Sequence, residues 1–300
     1  MRRYLILIVI LSYNLLDAQE QWVPIDGVKI KIKSIGLEKR TDSQPLVIFE
    51  SGLGTPMGNW DKVLSGVAKM APILAYDRPG IGESEAIDEM PTIDNVAGRL
   101  VGILEHLKQE PPYILVGHSL GGMYVRGFAN LYPELLAGLV IIDPADFTET
   151  KENRRHYYDV LEWPDERVDS LINGFIQQRR ERMRDAPLPI QRESEVLEAM
   201  RERDFQEINA MELQNMPVHI LTGGRFDKPM NLRSSVYDEE KLFRSKMKHR
   251  VNRWTNVIQS VDKGMLLYSG DAGHFVHVDD PELLICSIKM VLQDYPKIKE

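Results

Sequence analysis

Residues 114–122 read Ile-Leu-Val-Gly-His-Ser-Leu-Gly-Gly (ILVGHSLGG). An apolar run stops at Gly117, and a serine flanked by glycines follows at once. The run reads as a strand buried on both faces, and residues 121–131 read as a helix. Gly117-His118-Ser119-Leu120-Gly121 is therefore a G-x-S-x-G pentapeptide set between a strand and a helix. In that setting the serine takes a strained turn that lifts its hydroxyl above the sheet. Glycines two before and two after it remove side chains that would collide with the crossing strand and helix. The helix directs its first amides and positive dipole end towards the hydroxyl. Ser119 is the candidate nucleophile. A nucleophilic serine also needs a base, an acid behind the base, and donors for an oxyanion.

Working outward, strand-like runs alternate with helix-like stretches. Residues 27–35 (GVKIKIKSI) alternate as in a half-exposed strand, whereas 46–50 (LVIFE), 73–76, 113–116, 139–142 (LVII) and 218–222 are short and almost wholly apolar. Residues 265–269 form the last strand-like run, and Asp280-Pro281 opens a final helix. This pattern predicts an α/β fold: a mostly parallel sheet covered on both faces, with ligands at the carboxyl ends of the strands. From 147 to 216 the texture changes to charged, helix-prone sequence without a strand-like run. We expect a core from 19–146 and 217–300 and a helical insert at 147–216. Within the insert, charge clusters such as Arg179-Arg180-Glu181-Arg182 read as solvated faces. Trp163, Phe175, Ile176, Met183 and Phe205 recur between them and suit helices that cover a pocket.

The 300 residues are 43% hydrophobic, ample for a core, and carry a formal charge of −8. That balance argues against non-specific nucleic-acid binding. Residues 1–18 combine a short basic start, an apolar stretch and Asp17-Ala18, the layout of a signal peptide cleaved after Ala18 or Gln19. The apolar stretch is short for a membrane span. The expectation is a secreted or periplasmic protein without a stable span after processing. Cys286 is the only cysteine, so no internal disulfide forms. No metal-ligand spacing or cofactor motif stands out, so neither is expected. The sequence sets no oligomeric state.

Four ordered signals carry a resemblance: ESGLG at 50–54, YDRPGIGES at 76–84, GHSLGG at 117–122 and GHFVHVDDPE at 273–282. Over about residues 25–295 the chain resembles the α/β-hydrolase fold superfamily, in its serine esterase and lipase-like branch with an ESGLG oxyanion loop. The resemblance implies an eight-stranded, mostly parallel sheet flanked by helices, with a helical cap inserted after the sixth strand. It implies His274 as the base and the backbone amides of Leu53 and Leu120 as the oxyanion hole. His118, adjacent to the serine, is badly placed as a base; it and His277 read as structural. Asp77 and Arg78 read as residues that pin their loop.

Two aspartates compete for the acid. Asp227 follows the strand-like run at 218–222, the superfamily's commonest acid position, yet precedes His274 by 47 residues. Asp143 ends the strand-like run at 139–142 in an Asp-Pro-Ala wording that supplies the acid in some lipases. The reading leans to Asp143, with Asp227 as the alternative.

The implied activity is hydrolysis of a small-molecule carboxylic ester through an acyl-enzyme. The alternatives are an amidase or aminopeptidase of the same fold, and a non-catalytic ligand-binding member. A serine at this turn argues against haloalkane dehalogenase or epoxide hydrolase chemistry, where the superfamily places an aspartate.

Overall fold

The computed structural model describes residues 18–298. The expected signal peptide lies, but for Ala18, outside the described residues. Eight strands form one sheet: β1 (Gln19–Ile25), β2 (Val28–Ile35), β3 (Leu46–Glu50), β4 (Ile73–Tyr76), β5 (Tyr113–His118), β6 (Leu136–Ile142), β7 (Val218–Gly223) and β8 (Gly264–Ser269). Their spatial order is β1-β2-β4-β3-β5-β6-β7-β8. β2 is antiparallel to both neighbours, and every other pairing is parallel. The sheet is thus the eight-stranded, mostly parallel one expected. β1 is the strand that pattern reading does not place: Gln19, Glu20, Gln21 and Trp22 are all exposed at the sheet edge, so no apolar alternation marks it.

The larger helices are α1 (Asp61–Ala68), α2 (Ile93–His106) and α3 (Leu120–Leu131) before the insert, and α8 (Glu239–Gln259) and α10 (Pro281–Ile298) after it. A short helix, α9 (Val276–Asp279), leads into α10. One face of the sheet packs on α2, α3 and Trp254 of α8. The other packs on α1 and α10. Cover on both faces is why β3 to β7 are buried throughout and read as unbroken apolar runs.

Between β6 and β7 the chain forms α4 (Lys151–Arg155), α5 (Asp165–Arg184), α6 (Leu188–Glu202) and α7 (Gln206–Asn209), with no strand. This insert splits in its packing. Tyr157, Tyr158 and Val168 form a small cluster with Leu242 of α8. Val196, Leu197 and Met200 of α6, with Phe205 and Ile208, join the main core instead. Half of the insert is therefore continuous with the sheet's own core.

Candidate active site

Ser119 sits at the turn between β5 and α3 with φ 53° and ψ −112°. That is strained for any residue with a Cβ, and such strain persists only where the surroundings impose it. Here its amide donates to Ile142 O at 2.9 Å, and its carbonyl accepts from Ala145 N at 2.9 Å. The glycines answer to close approach. A Cβ on Gly121 would lie 2.2 Å from Glu50 O, and one on Gly117 would lie 2.4 Å from Gly121 O.

Asp143 follows β6 immediately and is also in the left-handed region, at φ 37°. Its Oδ2 accepts from His274 Nδ1 at 2.5 Å, and its Oδ1 accepts from Thr222 Oγ1 of β7 at 2.6 Å. Burial pushes this carboxyl up. The positive charge of Arg250, whose Nη1 is 3.6 Å from Oδ1, and the bond from His274 outweigh that and hold it below its ordinary value. A carboxylate on Nδ1 fixes the histidine tautomer, leaving Nε2 as an acceptor. His274 lies in the loop between β8 and α9, and its side chain is about half exposed.

Asp227 lies elsewhere. It is exposed and pairs with Arg225, whose Nε donates to its Oδ1 at 2.5 Å. Ser119, Asp143 and His274 together line one cavity of about 510 Å³. Its remaining walls come from the β6–α4 segment and from α4, α5, α6 and α8.

The loop after β3 approaches the serine closely. A Cβ on Gly52 would lie 3.4 Å from Ser119 Cβ. Arg78 holds this loop, with Nη1 donating to Ser51 O at 2.6 Å and Nη2 to Gly52 O at 2.8 Å. In a trans peptide the N–H opposes the C=O, so the Leu53 amide points away from Arg78. The Leu53 and Leu120 amides make no hydrogen bond among the described residues.

Arg78 is itself buried between Glu50 and Glu193, the latter on α6. Glu193 also accepts from Gly54 N at 2.7 Å. Asp77 accepts from the amides of Met57 at 2.7 Å and Glu83 at 3.0 Å, so both members of the pair pin loops.

His118 is buried, and its Nε2 is 3.0 Å from His274 O. Burial, with His277 and His274 nearby, holds its pKa well below the ordinary value. The neutral ring therefore donates Nε2–H to that carbonyl and positions the His274 backbone. His277 is likewise buried; burial and His274 push it down to about 3, and Asn59 meets its Nε2 at 2.9 Å. Among the described residues no group of three or more His, Cys, Asp or Glu is arranged to hold a metal ion.

A family model described as alpha/beta hydrolase fold matches residues 45–189. The solved structure of the epoxide hydrolase CorEH superposes with a TM-score of 0.61, covering 92% of this chain and 99% of that one at 17% identity. The chain has the α/β-hydrolase fold. It is similar to the protein YqjL of Bacillus subtilis, 30% identical over 42% of this chain and 48% of that protein. It is also similar to the dihydrolipoyllysine-residue acetyltransferase component of the acetoin cleaving system of Cupriavidus necator, 26% identical over 43% of this chain and 33% of that protein. The chain thus spans less than half the length of these curated relatives. Proteins with such different names are similar to this chain, and a shared fold does not itself name an activity.

Several residues around this site carry no signal in the sequence. Glu193, Thr222, Lys246 and Arg250 sit in stretches that read as helix or strand and nothing more. One reading is corrected. Arg180, Glu181 and Arg182 are exposed as expected of a solvated face, but Arg179 is half-buried in the cavity wall, and Arg182 also reaches the cavity rim. The heptad-scale spacing of a long helix cannot say which side of it faces an insert partner.

Proposed function

We propose that the protein is a serine hydrolase that cleaves carboxylic esters through an acyl-enzyme. The observation that carries this reading is the 2.5 Å contact between His274 Nδ1 and Asp143 Oδ2 in the wall of a cavity that also holds Ser119. In the reaction Ser119 Oγ attacks the acyl carbon while His274 Nε2 takes its proton. The Leu53 and Leu120 amides hold the oxyanion. The tetrahedral intermediate collapses, the C–O bond to the alcohol breaks, and His274 returns the proton to the alcohol. Water, deprotonated by His274, then attacks the acyl-serine, releases the acid and restores Ser119. Asp143 keeps the ring in its tautomer and stabilises the imidazolium.

The aminopeptidase alternative would need free carboxylates to hold a substrate amine. The wall's Asp146 and Glu149 are each paired, with Arg253 and with Arg154. Ester hydrolysis is separated from the ligand-binding alternative by a fluorophosphonate probe. We expect covalent labelling of the wild-type protein and none of Ser119→Ala; folded wild-type protein that takes no label would sink the reading. Export belongs to the same proposal and rests on residues 1–18 alone.

A further inference from the structure

The cavity above Ser119 is cationic in a chain of net charge −8. Arg154 of α4, Arg179 and Arg182 of α5, Arg201 of α6, and Lys246 and Arg250 of α8 all line it. The carboxylates of the lining are Asp143, Asp146 and Glu149. Each of the three is engaged: Asp143 by His274, Asp146 by Arg253, and Glu149 by Arg154 Nε at 2.6 Å and Tyr157 Oη at 2.9 Å. Behind the wall Glu198 is shared by two guanidinium groups, Arg179 at 2.5 Å and Arg201 at 2.7 Å. Carboxylates are thus fewer than cations.

Two of the cations have no ion pair among the described residues, and a third, Arg250, reaches Asp143 and Asp146 only at 3.6 and 3.7 Å. Lys246 has no ion pair among the described residues and is half-buried. Its Nζ lies 5.4 Å from the Tyr158 ring centroid and 5.2 Å from that of Phe175. Burial, then Arg250, Arg154 and Arg179 working against Glu149, lowers its pKa, the direction expected of a cation among cations. Arg182, at the exposed rim of the cavity, also has no ion pair among the described residues. The buried Arg250 Nε finds no hydrogen-bond partner, with Asp146 Oδ2 3.7 Å away. Ile172, Phe175, Ile176 and Leu197 supply an apolar stretch of the same wall. Low-dielectric walls lined by one sign of charge focus potential and concentrate the opposite charge. A guanidinium fork and a point ammonium suit a carboxylate or phosphate group.

We infer that the substrate is an ester bearing a second, anionic group, which Lys246 on the cationic wall receives while the ester lies at Ser119. The inference rests on the ester-hydrolase reading above and narrows its substrate class. A short aliphatic chain between ester and anion matches the apolar stretch. The cavity's volume is in the usual range for a small ligand.

The test compares kcat/KM for two nearly isosteric esters, p-nitrophenyl pentanoate and mono-p-nitrophenyl glutarate, in the wild-type protein and in Lys246→Met. We expect a preference of tenfold or more for the anionic ester. Lys246→Met, which keeps the apolar stem and removes the charge, should shrink that preference by tenfold or more. Calorimetric titration of the wild-type protein with glutarate and, separately, with propyl phosphate reads the anion site without turnover and tells which anion it favours. Binding of either that is weakened tenfold in Lys246→Met supports the inference.

Hydrolysis of both esters at equal rates, with neither anion bound at millimolar concentration, would overturn the inference and leave the hydrolase reading standing. Anion binding without hydrolysis of any ester, and without fluorophosphonate labelling, would overturn the hydrolase reading and with it the substrate claim.

Discussion

At the scale of single residues, the account turns on which carboxylate stands behind the histidine. Asp143 is 8% exposed at its side chain and touches His274; Asp227 is 56% exposed and touches Arg225. Because Asp143 lies below its ordinary pKa, it stays ionised through the neutral range and can stabilise an imidazolium there. Asp143→Asn should lower kcat by about four orders of magnitude, since an amide favours the wrong tautomer. Asp227→Asn should stay within about twofold, as surface changes usually do. Steady-state kinetics on a p-nitrophenyl ester checks both, and the reverse ranking would move the acid to Asp227. Sequence left these two side by side because each follows a strand-like run. What separates them is the meeting of the β6 end with the loop after β8, a contact between residues 131 positions apart.

At the scale of elements, α6 is tied to the loop after β3, the proposed oxyanion loop, through buried charge. Glu193 reaches Arg78 and Gly54 N, while Arg78 holds the carbonyls of Ser51 and Gly52. Removing one partner of a buried ion pair leaves the other charge uncompensated and costs about 3–5 kcal/mol. Glu193→Ala should lose that much in urea unfolding, and its kcat/KM should fall as the loop loosens. A variant as stable and as active as wild type would contradict the link. The turn elements that build the site were legible, because G-x-S-x-G and ESGLG are chemical demands on short, contiguous backbone. The insert was legible only as helix. Glu193, Arg179 and Arg250 take their roles from which way each helix faces, and that is decided by packing between distant segments.

At the scale of the whole molecule, three imidazoles are buried within the described core: His118, His219 and His277. Burial lowers all three, His219 to about 4 and His277 to about 3. Between their folded values and the ordinary value near 6.5, the unfolded chain binds more protons than the folded one. Stability is therefore undiminished by them above about pH 6.5 and falls as pH drops towards 4. Each contributes a slope of up to about 1.4 kcal/mol per pH unit. Urea midpoints from pH 7 to pH 4.5 should show the decline, and His219→Asn should flatten it by up to one proton. An unchanged slope would mean that His219 titrates alike in both states. The mostly parallel pairing followed from short apolar runs alternating with helices; the strand order did not, since a run does not name its neighbour. Edge strand β1 did not, since exposed edges carry no apolar pattern.

The central claim is that Ser119 forms a covalent acyl intermediate, and the direct measurement is mass spectrometry of protein quenched with acid during turnover of p-nitrophenyl acetate. The account predicts one acetyl group on the peptide that carries Ser119 and none in Ser119→Ala. Turnover with Ser119 unmodified and fully retained in Ser119→Ala would contradict it.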